Sequence, residues 1–244
     1  MSDYSRDEII DRLEKVVDIQ FLYQERIINC RGPKSSKKEK YTEIAAGWII
    51  DHIGKLQQIT PIRRENSYCS KGHDGKPKMS DVINEKRIAI KMFNQKEIPG
   101  FGELLDYETP LNDRRNNKAG EIDLLAFDKD KKILRILELK IPNSRETMLH
   151  CVLEVYTYLK LVDREKLILD FNAVNDDKEE KIPEDTPIAA FPFVFRRNSN
   201  GEDGFQYREM QEDRPKLKKL MALLEITPLN IDEEINGLYR AIEL

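Results

Sequence analysis

A chain of 244 residues with 35% charged side chains, a net charge of −4 and a pI near 5.6 can bury a sizeable core but is too acidic for a sequence-independent coat on nucleic acid. No run approaches the roughly eighteen apolar residues of a membrane helix, and MSDYSRDEII lacks a signal-peptide pattern, so a cytoplasmic protein with no membrane partner is expected. Cys30, Cys69 and Cys151 are odd in number and far apart, which fits reduced thiols, and Cys69-x₃-His73 has no Cys-x₂-Cys to complete a zinc set.

Ser5 with Glu8 forms a capping box before Ile9, Ile10, Leu13, Val16, Val17 and Phe21, which predicts an amphipathic helix. After the exposed GPKSSKKEK loop, a second helix begins at Thr42, with Ile44, Trp48, Ile49, His52 and Ile53 on one side and His52 as a satisfied core-edge residue. Residues 61–79 carry Pro61, Gly72, Gly75 and Pro77 and read as a loop. Ser80 then caps a helix through SDVINEKRIAIKMFN, with Glu85 on the border of its apolar face, and a strand follows from Gly102 to Thr109.

Gly120 to Lys140, GEIDLLAFDKDKKILRILELK, is the most informative stretch. Two aliphatic runs flank a charged turn, so they pair as an antiparallel hairpin. With Asp128 facing Ile133, the register sets Phe127 opposite Leu134, Leu125 opposite Ile136, Asp123 opposite Glu138 and Glu121 opposite Lys140. That face is apolar near the turn and charged at the far end, as though a helix covers one part and a cleft opens over the other. Opposed carboxylates repel unless a cation lies between them, and oxygen donors favour Mg²⁺, with Mn²⁺ as the alternative ion.

Beyond the hairpin, Asn143 and Glu146 form a box-like start to a helix carrying Leu149, Val152, Val155, Tyr156 and Leu159, with His150 on its surface. KLILDF (166–171) reads as a strand, the acidic segment after it as a loop, and Ile188–Phe195 with Gly204–Tyr207 as an edge hairpin. Two closing helices are expected, one on Leu217, Leu220, Met221 and Leu224, the other on Ile231, Ile235, Leu238 and Ile242. The basic loop Arg114-Arg115-Asn116-Asn117-Lys118 runs into the charged end of the hairpin and is the strongest phosphate-contact candidate, ahead of the solvated runs 34–40 and 214–219.

An acid on one strand, Glu-x-Lys on the next, an upstream helical Glu and a downstream helix resemble the PD-(D/E)XK nuclease superfamily. The GEID form is most similar to Holliday-junction resolvases and repair or restriction-type nucleases. The likeness spans about residues 80–172. It implies an α/β, restriction-endonuclease-like three-layer core with a mixed central sheet flanked by helices, over residues 79–212. A helical N-terminal extension would occupy 1–78, and C-terminal helices packing on the core 213–244; such additions can support a homodimer.

By the same likeness the chain is a Mg²⁺-dependent deoxyribonuclease of defence or repair type. Asp123, Glu138 and the carbonyl of Leu139 would hold the metal, Lys140 would orient or deprotonate the attacking water, and Glu85 would be a third carboxylate, with Glu103 its rival. Glu154 and Tyr158 stand where such nucleases often carry Gln-x-x-x-Tyr, which places Tyr158 beside Arg114, Arg115 and Lys118 as a nucleic-acid contact, although Glu replaces Gln and Tyr158 on its own reads as a core-edge aromatic. DNA is the expected substrate, with RNA an open alternative. The competing expectation is a non-catalytic nucleic-acid-binding or protein-interaction module that keeps the fold.

Overall fold

The computed structural model describes residues 4–33, 38–70, 72–76, 85–113, 119–174, 181–233 and 237–243. The chain opens with Arg6–Glu14 (α1), where Ser5 and Glu8 form the expected reciprocal capping box, and continues through Tyr41–Asp51 (α2) and Ile53–Gln57 (α3). His52 sits at their junction, its Nδ1 2.8 Å from the Trp48 carbonyl and its ring stacked on Trp48. Glu85–Gln95 (α4) follows; the proposed Ser80 cap lies outside the described residues.

Among the described residues, seven strands form one mixed sheet in sequence order. They are Glu97–Ile98 (β1), Gly102–Pro110 (β2), Glu121–Asp128 (β3), Ile133–Lys140 (β4), Ile188–Phe195 (β5), Leu229–Glu233 (β6) and Tyr239–Glu243 (β7). β4–β5 and β5–β6 are parallel and the other pairings antiparallel. Parallel neighbours need crossovers. Met148–Leu161 (α5) and Arg164–Val174 (α6) supply the first, and Phe205–Gln211 (α7) and Pro215–Leu224 (α8) the second.

The hairpin register is the one the alternation of residues requires: Asp128 faces Ile133, Phe127 faces Leu134 and Leu125 faces Ile136. Leu125, Phe127, Leu134 and Ile136 join a core with residues of α1, α2, α5, α6 and α8 on one side of the sheet. Leu124, Ala126, Leu137 and Leu139 join a second core with Ile88, Ala89, Ile90 and Met92 of α4 on the other. The turn is closed by the buried pair Asp128–Arg135 (2.6 Å) and by the Lys131 amide donating to Asp128.

The sheet also curls. Gln95, the last residue of α4, accepts the Tyr239 amide (2.7 Å) and donates to the Tyr239 carbonyl (2.9 Å), so a side-chain amide ties β7 to the segment leading into β1, and the two edge strands touch. The outer edge of β2 is covered by residues 62–70 and 72–76. Arg64 donates to the Pro110 and Ser67 carbonyls and pairs with Asp113, whose carboxylate also accepts the Glu65 and Asn66 amides.

Five sequence expectations are corrected. The first helix stops at Glu14, with Val17 fully exposed and Phe21 in a separate 3₁₀ turn, Ile19–Gln24, so Val16, Val17 and Phe21 do not extend its apolar face. KLILDF is helical, within α6, because Leu167, Ile168 and Phe171 bury one helical stripe and Asp163 caps the turn through the Lys166 amide. The helix after β4 begins at Met148 with Thr147 as its cap, which accepts the His150 amide and donates to the Ile28 carbonyl; Asn143 instead bonds to Ser199. Gly204 and Phe205–Tyr207 belong to the start of α7, leaving one bridge, Arg197–Asp203, of the expected edge hairpin. The final helix is instead the β6–β7 hairpin, which buries Leu229, Ile231, Tyr239 and Ala241 and turns through Gly237 at φ +79°.

Candidate metal centre

β3 and β4 pair from Asp128↔Ile133 as far as Leu124↔Leu137. Beyond that point the Asp123 carboxylate accepts the Leu139 amide (2.7 Å), while β4 stays paired to β5 as far as Lys140↔Val194. A side-chain oxygen thus takes the place of a ladder carbonyl. The hairpin opens where its charges lie, and the Leu139 peptide is tied to Asp123.

Glu138 and Lys140, two apart, share a face of β4 and are both 4% exposed. The Lys140 ammonium lies 3.0 Å from Glu138, 3.1 Å from Glu146 and 2.7 Å from Glu154. Burial alone would lower the Lys140 pKa, but Glu138 and Glu154 outweigh it and hold the pKa well above the ordinary lysine value. Its carboxylate neighbours thus favour the ammonium form of Lys140.

The acids outnumber it. Burial, with Glu85 nearby, pushes Asp123 up to about 8 against the pull of Lys140 and the Leu139 amide. Burial, then Asp123 and Glu154, raise Glu138 well above the carboxylate range. Glu154 goes the other way, to about 2, because Lys140 and His150 overcome its burial. The contrast follows from contacts: Glu154 has the closer approach to Lys140 and the His150 Nε2 beside it. Glu138 Oε2 is buried with no hydrogen-bond partner among the described residues.

Glu85 stands at the start of described α4, its pKa raised by burial and by Glu146 and Glu154 against the pull of Lys140, with the Ile141 amide bonding to it. Its rival Glu103 faces Phe127 at the turn end of the hairpin and pairs with Lys129, about four strand residues or roughly 13 Å from Asp123. Glu121 is exposed and faces Pro110 of β2, and the β3–β4 ladder ends at Leu124↔Leu137, short of the expected Glu121–Lys140 opposition.

Arg114, Arg115 and Lys118 lie outside the described residues. Tyr158 is 4% exposed, its hydroxyl donating to Glu154 (3.4 Å) and packing over Gly120, where an added Cβ would come within 2.4 Å of it. In this position it braces Glu154 and touches no open surface.

His150, expected on the helix surface, is 8% exposed. Its Nδ1 is 2.8 Å from the Tyr23 carbonyl, which directs Nε2 to Glu154 (3.4 Å) and Glu146 (3.6 Å). Those acids raise its pKa despite burial. Glu146, His150 and Glu154 offer ligand atoms within 4.8 Å of one another, a cluster not assembled from sequence although its four-residue spacing is visible there. The face is held in place by Glu209, which accepts the Met148 amide at the start of α5 and pairs with the fully buried Arg214.

Comparison with family models, curated proteins and solved structures finds no match to this chain.

Proposed function

We propose that the protein is a divalent-metal-dependent nuclease that hydrolyses phosphodiester bonds, with DNA its expected substrate. The observation that carries this reading is the surplus of acid. Asp123, Glu138, Glu85, Glu146 and Glu154 surround one lysine and one histidine, and a buried oxygen of Glu138 has no partner. Buried carboxylates in such excess must take up protons or a cation. The reading is also supported by the order of elements, α4, β1, β2, the acidic strand β3, the Glu-x-Lys strand β4, α5, α6 and β5.

The donors fit a hard ion. Asp123, Glu138 and the Leu139 carbonyl, with Glu85 as third carboxylate, would hold Mg²⁺ or Mn²⁺. Bound there, the ion would polarise a phosphate and lower the pKa of a bound water. Lys140 supplies a fixed positive charge against the charge developing on the phosphoryl oxygens, and Glu154, braced by His150 and Tyr158, fixes its ammonium. A cationic Lys140 orients the nucleophile and does not deprotonate it.

A second reading places the ion at Glu146, His150 and Glu154, favoured by the Tyr23 carbonyl that fixes the His150 tautomer. The ammonium of Lys140, within 3.1 Å of both those carboxylates, already fills that role.

The test is cleavage of plasmid, single-stranded DNA and RNA with Mg²⁺, Mn²⁺ or EDTA. Cleavage should require the metal and fall at least about 100-fold in Asp123→Asn and Glu138→Gln. Full activity in both variants refutes the assignment, and loss confined to His150→Ala moves the metal to the second cluster.

A further inference from the structure

A separate pair of groups lies beside the metal centre. His73, in the loop over the edge of β2, places Nδ1 2.6 Å from Oδ1 of Asp106, and Asp106 is 4% exposed with its second oxygen accepting from Thr109. The imidazole is stacked on Tyr107 at 4.4 Å, and Tyr107 packs on Phe93. A carboxylate, a hydroxyl and an aromatic face thus fix one ring, and such pairing on Nδ1 commits Nε2 to whatever lies on its other side. Nε2 has no hydrogen-bond partner among the described residues.

His73 lines a cleft of about 350 Å³ with Arg64, Asn66, Ser70, Lys86 and Glu121. Two walls of this cleft lead to the acids: Lys86 follows Glu85 on α4, and Glu121 lies two residues before Asp123 on β3. Its fixed charges are largely matched within the wall, Lys86 with Glu108, Arg64 with Asp113 and Lys76 with Asp74. With its three cations paired and Glu121 adding one further carboxylate, the cleft disfavours a polyphosphate, and its one oriented ring nitrogen can meet at most a singly charged phosphodiester.

We propose that His73, held by Asp106, is a substrate-positioning residue of a subsite for the phosphodiester adjoining the scissile one. In the ion-paired form of the dyad, Nε2–H donates to a non-bridging oxygen of that phosphate. The inference rests on the nuclease reading, and the experiment separates the two.

Steady-state cleavage of a fluorescent DNA oligonucleotide with Mg²⁺, and its binding with Ca²⁺ in place of Mg²⁺, are measured for wild type, His73→Ala, His73→Gln and Asp106→Asn. Loss of one hydrogen bond to a charged group predicts a KM about 10-fold higher or more in His73→Ala, with kcat within about twofold. His73→Gln, which keeps an N–H near the position of Nε2, should recover most of the loss. Asp106→Asn should fall between, because the ring is kept and its orientation is not. Melting curves of each variant accompany the kinetics; should His73→Ala be less stable, the comparison of His73→Gln with wild type decides. An unchanged KM in His73→Ala, a fall in kcat alone, or failure of His73→Gln to recover overturns the subsite while leaving the nuclease reading standing. Absence of both cleavage and binding in the wild-type protein overturns both.

Discussion

Replacing Lys140 by alanine tests the electrostatics of the site apart from its chemistry. The ammonium is 2.7–3.1 Å from three carboxylates, and at an effective dielectric constant of about 20 each contact contributes roughly 5–6 kcal/mol of gross attraction. Desolvating the ions offsets most of that, so the net cost of removing one partner from a buried network is about 3–5 kcal/mol. Urea unfolding of Lys140→Ala at pH 8 in EDTA should show that loss against wild type. Glu154→Gln in the same background should recover part of it, since it removes a buried charge that Lys140 no longer balances. At pH 5 the deficit should shrink as the orphaned carboxylates take up protons. A loss below about 1 kcal/mol at pH 8, or no recovery from Glu154→Gln, would refute the view that Lys140 neutralises this cluster.

Three other outcomes are expected. In EDTA the wild-type protein should become less stable as pH rises from about 5 to about 8. The Asp123 pKa is raised from 3.8 to about 8, so the folded state holds a proton that the unfolded state has released, and stability present below the unfolded value is lost through this window. The raised His150 pKa acts in the same direction, its contribution being present below 6.5 and lost above it. Thermal melts across that range should show a slope on the order of a few kcal/mol in total, flattened by saturating Mg²⁺; a slope of opposite sign contradicts the account. Gly120→Ala should cost more than about 1 kcal/mol in chemical denaturation, because φ is +81° and the new Cβ meets the Tyr158 hydroxyl, and Tyr158→Phe in that background should restore part of it. Gln95→Ala removes two hydrogen bonds across the β1–β7 seam, so it should cost roughly 1–3 kcal/mol and speed hydrogen exchange at the Tyr239 amide; unchanged exchange would show that the seam closes without it.

The hairpin register from the turn to Leu124↔Leu137 was legible because alternation has a period of two and a one-residue slip would expose its whole apolar set, whereas the opening of the strands beyond it, where Asp123 bonds to the Leu139 amide, was not. Short apolar runs carry no such constraint. KLILDF fits a strand or a buried helical turn equally well, and Asp163 as a cap decides it only once α6 packs. Ile231, Leu238 and Ile242 fall at helical intervals by coincidence, and Gly237 was the overlooked turn signal. His150 reads as a surface residue until the Tyr23 carbonyl, far away in sequence, is brought against its ring. The His73–Asp106 pair spans 33 positions and belongs to the cover over the edge of β2, which no local pattern encodes.

The central claim, that the opened end of the β3–β4 hairpin chelates a divalent ion, is tested most directly by titrating Mn²⁺ into metal-free protein and counting bound ions by electron paramagnetic resonance. Wild type should bind at least one ion per chain, and Asp123→Asn and Glu138→Gln should each lose it while remaining folded in EDTA. Binding that is absent from wild type, or undiminished in both variants, would contradict the account.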